Sequence, residues 1–271
     1  MTKKPAPKTA LITGAASGIG RSYARELASR KLRLCLIDIQ AEKLADVASD
    51  IQKEFEVEPL TLVMDLSKPD AADQCLAFCD EHQFEVDLLI NNAGIFIFDP
   101  FLEVAPERTE MLLGLHIAFV TRMCRLFAER MKSRRYGYIL NMSSMSVWMA
   151  LPGLNLYNAS KAYIRGLSRS LWFELRPFNV SVTAVCPAGV DTPLLPLPDD
   201  IRELSKKLGF LMNPDTLAKK ALRATLKGKI QIIPGALNDI FAFCMMILPK
   251  WLMILVMNHL SIYKRFLDSK K

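Results

Sequence analysis

The chain has 271 residues, 51% of them hydrophobic and 23% charged, a balance that excludes a disordered polymer and supplies core enough for one α/β domain. The net charge of +7 suits an anionic ligand or surface, but no run of lysine and arginine exceeds two residues, and with no nucleic-acid motif present a nucleic-acid partner is excluded. The six cysteines and three histidines are scattered, which leaves no metal-ligand spacing and points to free thiols in a reducing, cytoplasmic compartment.

Residues 9–13 read as a short buried strand, and the apolar run there is too short for a signal peptide. Gly14-Ala-Ala-Ser17-Gly18-Ile19-Gly20 follows, then an amphipathic helix to about Arg30. Glycines between a strand and a helix allow a tight turn and a close approach of backbone to a pyrophosphate, with the helix N-terminus facing the phosphates. A second strand, 33–37, ends at Asp38. That acid lies 24 residues after Gly14 (38 − 14), where a dinucleotide fold keeps its ribose-binding carboxylate; the alternative is a cap for helix 41–54. A strand at 59–64 ends at Asp65, which either contacts the adenine end of a nucleotide or caps helix 69–82. Strand 86–91 leads into Asn91-Asn92-Ala93-Gly94, small residues at a strand end that leave room for a ligand. A long helix, 107–132, contains His116. Strand 136–142 leads to Ser143 and Ser144, helix 155–176 carries Tyr157 and Lys161, and strand 179–186 leads to the turn Pro187–Pro193 with Val190 and Thr192. A Leu/Pro-rich loop with a short helix (194–213), helix 214–227 and strand 229–233 complete the sheet. The alternation predicts an α/β fold, a Rossmann-like doubly wound seven-stranded parallel sheet with helices on both faces.

Tyr157 and Lys161 are four apart and project from one helix face. A nearby ammonium favours a phenolate, and such a tyrosine can pass a proton to or from an alcohol or carbonyl oxygen. Ser144 can donate a hydrogen bond to a developing alkoxide.

Taken together, Thr13-Gly14-(x3)-Gly18-Ile19-Gly20, Asp38, Asp65, Asn91 to Gly94, Ser144, Tyr157-(x3)-Lys161 and Pro187 to Thr192 resemble the short-chain dehydrogenase/reductase family over about residues 8–235. The resemblance implies Tyr157 as general acid/base, Lys161 as the group that lowers its pKa and holds the nicotinamide ribose, and Ser144, rather than Ser143, as the group that orients the substrate oxygen. It also implies a dinucleotide site drawn from Gly14, Ser17, Gly18, Ile19, Gly20, Asp38, Asp65, Asn91, Ala93, Gly94, Tyr157, Lys161, Pro187, Val190 and Thr192, with no metal. The expected activity is hydride transfer between NAD(H) or NADP(H) and an alcohol or ketone. Asp38 favours NAD(H), because a carboxylate repels a 2′-phosphate and Ser17 adds no positive charge.

Two positions depart from the family pattern. His116 stands where the family has an asparagine that holds a relay water, and it is either a substitute in that relay or a core histidine bonded to backbone. Ala188 stands where a glycine is usual. Beyond the expected domain of 1–235, residues 236–271 form an extension with apolar runs Ile240–Leu248 and Trp251–Met257 split by Pro249-Lys250. Neither run reaches the roughly 20 residues of a membrane span, so the extension is expected to lie on a membrane surface or to pack against its own domain or a second subunit of a homodimer or homotetramer. Apolar residues after Ser144 (Met145, Val147, Trp148, Met149, Leu151) and in the loop (Leu194, Leu195, Leu197, Phe210, Leu211, Met212) predict either an oily pocket for a steroid-, retinoid- or long-chain acyl-like substrate or contacts between subunits. The rival reading is a nucleotide-binding sensor or scaffold without catalysis.

Overall fold

The computed structural model describes residues 5–149, 151–195, 199–207 and 211–235, with isolated positions between 238 and 254. Seven parallel strands form the central sheet: β1 (Thr9–Thr13), β2 (Arg33–Asp38), β3 (Leu60–Val63), β4 (Leu88–Asn91), β5 (Gly137–Met142), β6 (Val180–Val185) and β9 (Gln231–Ile232), in the spatial order β3-β2-β1-β4-β5-β6-β9. From β1 the chain winds outward through β2 and β3, then returns to pair β4 against the other side of β1. The carboxyl ends of β1 and β4 therefore border the crevice in which doubly wound sheets bind ligands. The anticipated sheet is observed, although β9 is shorter than the 229–233 run.

The central strands β1, β4, β5 and β6 are buried along their whole length because helices cover both faces. Ala10 and Ile12 of β1 point into one core layer with α1 (Gly18–Ala28), α2 (Ala41–Phe55) and α8 (Pro214–Leu226), where Tyr23, Leu27, Leu44, Ile51 and Leu217 are buried. Leu11 points into the opposite layer with α3 (Ala71–Glu81), α5 (Val120–Ser133) and α6 (Asn155–Leu175), packed by Cys75, Met123, Phe127 and Ile164. Five of the cysteines, Cys35, Cys75, Cys79, Cys124 and Cys186, are buried free thiols.

The long helix expected over 107–132 is interrupted. It runs as α4 (Pro106–Leu113), a π-helical stretch (Gly114–Phe119) and then α5. Such wide turns insert a residue into a helix and recur at functional sites; this one carries His116. The combined run Pro106–Ser133 is long and apolar enough to cross a membrane, but half of its most apolar window is buried in the protein. A two-stranded ladder not anticipated from sequence joins β7 (Gly189–Val190) to β8 (Leu211–Met212), closing the ends of the loop that holds α7 (Asp199–Lys207). The split of the chain at residue 235 remains a sequence-based proposal. Most of the two apolar tail runs, with Leu197 and Phe210 of the loop, lie outside the described residues; of the described tail positions, Ile240, Trp251 and Ile254 are exposed and Ala242 is buried.

The glycine turn depends on contacts that no side chain could share. Gly14 has φ +68°, and a Cβ there would lie 2.8 Å from the Ala93 Cα. A Cβ on Gly20 would lie 1.9 Å from the Gly14 carbonyl oxygen, which is fixed backbone. Gly20→Ala is therefore expected to force α1 away from β1, costing about 1–3 kcal/mol of stability and most of the dinucleotide affinity; urea unfolding and cofactor titration of the variant check both.

Candidate active site

Three strand ends build the floor. The Gly14 and Ala15 N–H groups donate to the Ile37 carbonyl at 2.8 and 3.2 Å, while Asp38, 7% exposed, accepts from the Ala16 N–H through Oδ2 at 2.9 Å and from the Gln40 N–H through Oδ1 at 3.0 Å. Asp38 thus joins the glycine turn to the end of β2, and each oxygen keeps a further lone pair for a hydroxyl. On the other side, Thr13 Oγ1 accepts the Asn92 and Ala93 N–H groups at 3.0 and 3.1 Å, and the Asn92 amide donates to the carbonyls of Thr13 and Gly14. Asn92, absent from the sequence-derived site set, is thus the side chain that ties the two loops together. Asn91 points inward instead, donating to Asn141 Oδ1 at 2.8 Å.

The cradle fits a dinucleotide. Helix α1 begins at Ser17 with no side-chain cap and no acid in its first turn, so its N–H groups and positive dipole end are open to phosphate. Gly18 (φ +51°) leaves a gap over which the Thr192 methyl sits, 3.1 Å from where a Cβ would be. Thr192 and Val190 are buried, and the Pro187 carbonyl accepts the Met145 N–H at 2.8 Å, drawing the 187–192 turn against the segment after β5. A Cβ on Gly94 would stand 2.9 Å from His116 Nε2 and 3.5 Å from Lys161 Nζ, so this glycine keeps open the space beside both. Asp65 is set apart: its Oδ1 accepts from the backbone N–H and hydroxyl of Ser67, bonds that pull its pKa down. It stabilises its own turn and does not cap α3, whose N-cap is Asp70.

Tyr157 and Lys161 lie one turn apart near the start of α6. Lys161 is 5% exposed; its Nζ donates to the Met142 carbonyl at 3.0 Å and lies 5.6 Å from the Tyr157 ring centre. Burial lowers the Lys161 pKa to about 8. Tyr157 packs edge-on against Phe96, with ring centres 5.1 Å apart. Here one expectation is corrected. With the protein's own groups alone, burial pushes the Tyr157 pKa up to about 12, opposed by a hydrogen bond from Ser144 rather than by the Lys161 charge. The Lys161 ammonium is itself desolvated and directed to the Met142 carbonyl rather than to the phenol.

The two serines divide. Ser143 is buried and its hydroxyl donates to the Lys161 carbonyl at 2.8 Å, so it fastens α6 to β5. Ser144 Oγ accepts from both the backbone N–H and the hydroxyl of Ser146, at 3.1 and 2.9 Å. With its lone pairs occupied, its own proton is left to donate toward Tyr157 or a ligand oxygen.

His116 is fully buried and both ring nitrogens are engaged. Nε2 accepts the Ile95 N–H at 3.0 Å and Nδ1 meets Ser160 Oγ at 2.9 Å. Since Nε2 accepts from a backbone donor, Nδ1 carries the proton and donates to Ser160, whose hydroxyl in turn donates to the Tyr157 carbonyl at 2.8 Å. Burial, then the Lys161 charge, hold its pKa well below the usual imidazole range. Of the two readings open for His116, this geometry favours the backbone-bonded one: neither nitrogen is left for a water. Ser160 belongs to the same network and carried no recognisable signal in the sequence.

A family model described as short chain dehydrogenase matches residues 8–199. The chain belongs to the short-chain dehydrogenase/reductase family. This dehydrogenase/reductase is 30% identical to the very-long-chain 3-oxoacyl-CoA reductase of Rattus norvegicus over 90% of its own length and 76% of that protein. Among solved structures it resembles a short-chain dehydrogenase from Sphingobium yanoikuyae in complex with NADPH, at 29% identity and TM-score 0.75 over 89% of this chain and 96% of that one. It also resembles a 3-ketoacyl-(acyl-carrier-protein) reductase from Brucella melitensis complexed with NADH, at 28% identity and TM-score 0.73 over 83% and 95%. The protein is thus an oxidoreductase with a nicotinamide cofactor, and the non-catalytic scaffold reading falls.

Two outcomes follow for this short-chain dehydrogenase/reductase. His116→Asn is expected to lose the Ser160 bond and lower kcat moderately, and Ser160→Ala to reproduce that loss; unchanged kcat in both would mean the network does not hold Tyr157. For Lys161, the folded pKa of about 8 lies below the ordinary 10.5, so the native state binds fewer protons between those values and stability rises with pH through that window. Lys161→Met removes a cation whose burial costs about 3 kcal/mol at pH 7, so the variant is expected to unfold at higher urea than the parent at pH 7, with the gain shrinking between pH 8 and 10.5.

Proposed function

We propose that this enzyme reduces the ketone of a lipophilic substrate, foremost the 3-oxo group of a long-chain acyl thioester, using NADH. The observation that carries the reading is a phenol and a serine hydroxyl, adjacent and partly buried, facing an apolar wall. Tyr157 is edged by Phe96, which stacks on Phe98, and Ser144 is followed by Met145 and Val147, all partly buried. The relatives named 3-oxoacyl-CoA reductase support the substrate class, and a chicken relative named hydroxysteroid dehydrogenase-like protein 1, 31% identical, keeps a steroid-like ketone as the second reading.

Bound nicotinamide supplies the hydride. The chain does the rest. Ser144 donates to the substrate oxygen and fixes which face of the carbonyl is presented. Tyr157 holds its proton firmly in the ground state, and donates it to the oxygen as alkoxide character develops. Lys161, a buried cation anchored on Met142, makes the phenolate left behind less costly and presents donors to the ribose. His116, through Ser160, holds the carbonyl of Tyr157 and so the first turn of α6. Asp38 supports NADH over NADPH, since its carboxylate lies at the end of β2 with both oxygens already committed to backbone N–H groups and cannot swing away from a 2′-phosphate.

Exposed apolar residues on α6, Tyr163 and Phe173, support a homo-oligomer, and the basic, apolar extension supports peripheral membrane attachment.

Tyr157→Phe is expected to lower kcat by about 10²–10⁴-fold with cofactor affinity retained; retention of a tenth of the parent rate would remove Tyr157 as the acid. Cofactor choice is tested by kcat/KM with NADH and NADPH, where the parent is expected to favour NADH and Asp38→Ser to erase the preference. A panel of 3-oxoacyl thioesters of increasing length should give rising kcat/KM, and a flat or falling series would sink the acyl reading.

A further inference from the structure

Past the catalytic turn, α6 carries two more cations on the same face. Arg165 and Arg169 follow Lys161 at successive four-residue steps, and among the described residues neither has a carboxylate within ion-pair distance. Both reach one neutral acceptor, the Gln231 amide oxygen on β9: Arg165 Nε at 2.8 Å and Arg169 Nη1 at 3.4 Å. The Arg165 guanidinium also lies over the Trp148 ring, 4.7 Å from its centre, which fixes the fork on the 3₁₀ turn that follows Ser144. Burial and the charge of Arg169 both disfavour its protonated form. Drawing two guanidinium groups together around one amide, with no compensating acid among the described residues, costs free energy that an anion would offset. The fork has donors to offer: a guanidinium carries five N–H groups, Arg165 spends only Nε–H, and its Nη groups meet no acceptor among the described residues. The cations also lie beside the end of β6, since Gln231, which both contact, pairs with Ala184 of that strand.

We propose that Arg165 and Arg169, framed by Trp148 and Gln231, bind the phosphates of the substrate's carrier, a coenzyme A thioester, while its 3-oxo group is held at Ser144 and Tyr157. This rests on the acyl thioester reading above. Planar guanidinium forks match phosphate oxygens in pairs, and an aromatic face beneath the fork holds it in register. Spacing selects the ligand. Arg165 and Arg169 are eight and twelve residues beyond Tyr157 (165 − 157 and 169 − 157), hence about 12 and 18 Å along the helix axis. A compact keto acid cannot span that, whereas a thioester whose phosphates hang on a long flexible arm can.

The experiment has two readouts. Protein saturated with NADH, so that the cofactor groove is filled, is titrated calorimetrically with coenzyme A at low salt. Binding is expected, weakening as salt rises, and the double variant Arg165→Gln, Arg169→Gln should lose about tenfold or more in affinity with NADH affinity unchanged. In parallel, kcat/KM is measured for a 3-oxoacyl coenzyme A and for the same acyl chain on N-acetylcysteamine. The double variant should lose about tenfold on the first and nothing on the second, which also certifies that it is folded. Equal turnover of both thioesters by parent and variant overturns the phosphate site while leaving the acyl reading intact. Arginine-dependent coenzyme A binding with neither thioester reduced overturns the acyl reading and leaves the site. Arginine-dependent binding to phosphatidylglycerol vesicles but not to coenzyme A overturns the assignment to a carrier and gives the site to a lipid headgroup.

Discussion

A buried ammonium held by one carbonyl organises the reaction centre. Lys161 Nζ reaches across from α6 to the Met142 oxygen at the end of β5, and the Ser143 hydroxyl returns the connection to the Lys161 carbonyl. These two bonds clamp the first turns of α6 on the strand end that continues into Ser144, so phenol, hydroxyl and ammonium share one rigid joint. The clamp carries a cost in stability, because the cation is desolvated and, among the described residues, no carboxylate neutralises it. A site that must stabilise a transient phenolate needs an unneutralised positive charge, so the cost and the chemistry have one origin.

Around this joint the remaining polar groups are spent on geometry. His116 occupies a π-helical turn and bonds the Ile95 backbone on one side and Ser160 on the other, joining the loop after β4 to the helix bearing Tyr157. Imidazole has one donor and one acceptor when neutral, and both are used. Protonation would place a second donor against the Ile95 N–H beside the Lys161 charge, which is why the ring stays neutral. Gly94 completes the arrangement by omission, since a methyl there would press on His116 and approach Lys161. Helix α7 is held by charge instead: Asp191 pairs with Arg202 at 2.7 Å and Lys206 at 2.8 Å, drawing α7 toward the turn that carries Thr192.

The apolar surroundings and the cations of α6 divide the recognition problem. Phe96 and the segment after Ser144 present a face suited to an oily chain, where discrimination comes from area. Arg165, stacked on Trp148, and Arg169, which shares the Gln231 acceptor with it, present charge at a distance set by the helical rise. On this proposal, one helix carries the acid, its supporting cation and the phosphate contacts in a single line, so chain length and carrier are measured from a common origin.

Much of this was legible in the sequence, for a physical reason. Strand–glycine turn–helix order, the seven apolar strand runs and the four-residue step from Tyr157 to Lys161 are local patterns, set by backbone geometry and periodicity, and the parallel sheet follows from their alternation. The preference for Ser144 over Ser143 came from the family resemblance, which places it thirteen residues before Tyr157 (157 − 144). What only the tertiary structure decided are relations between segments far apart in the chain: that Asn92 binds the glycine turn, that Asp65 serves its own loop, that the 189–190 and 211–212 segments pair, that Gln231 gathers two arginines. The direction of the Tyr157 pKa belongs to the same class. A lysine four residues away can be read from sequence, but whether its charge or the burial of the phenol prevails depends on how much water the assembled fold excludes, and that is a property of the packing of α6 against the Phe96 loop rather than of any stretch of residues.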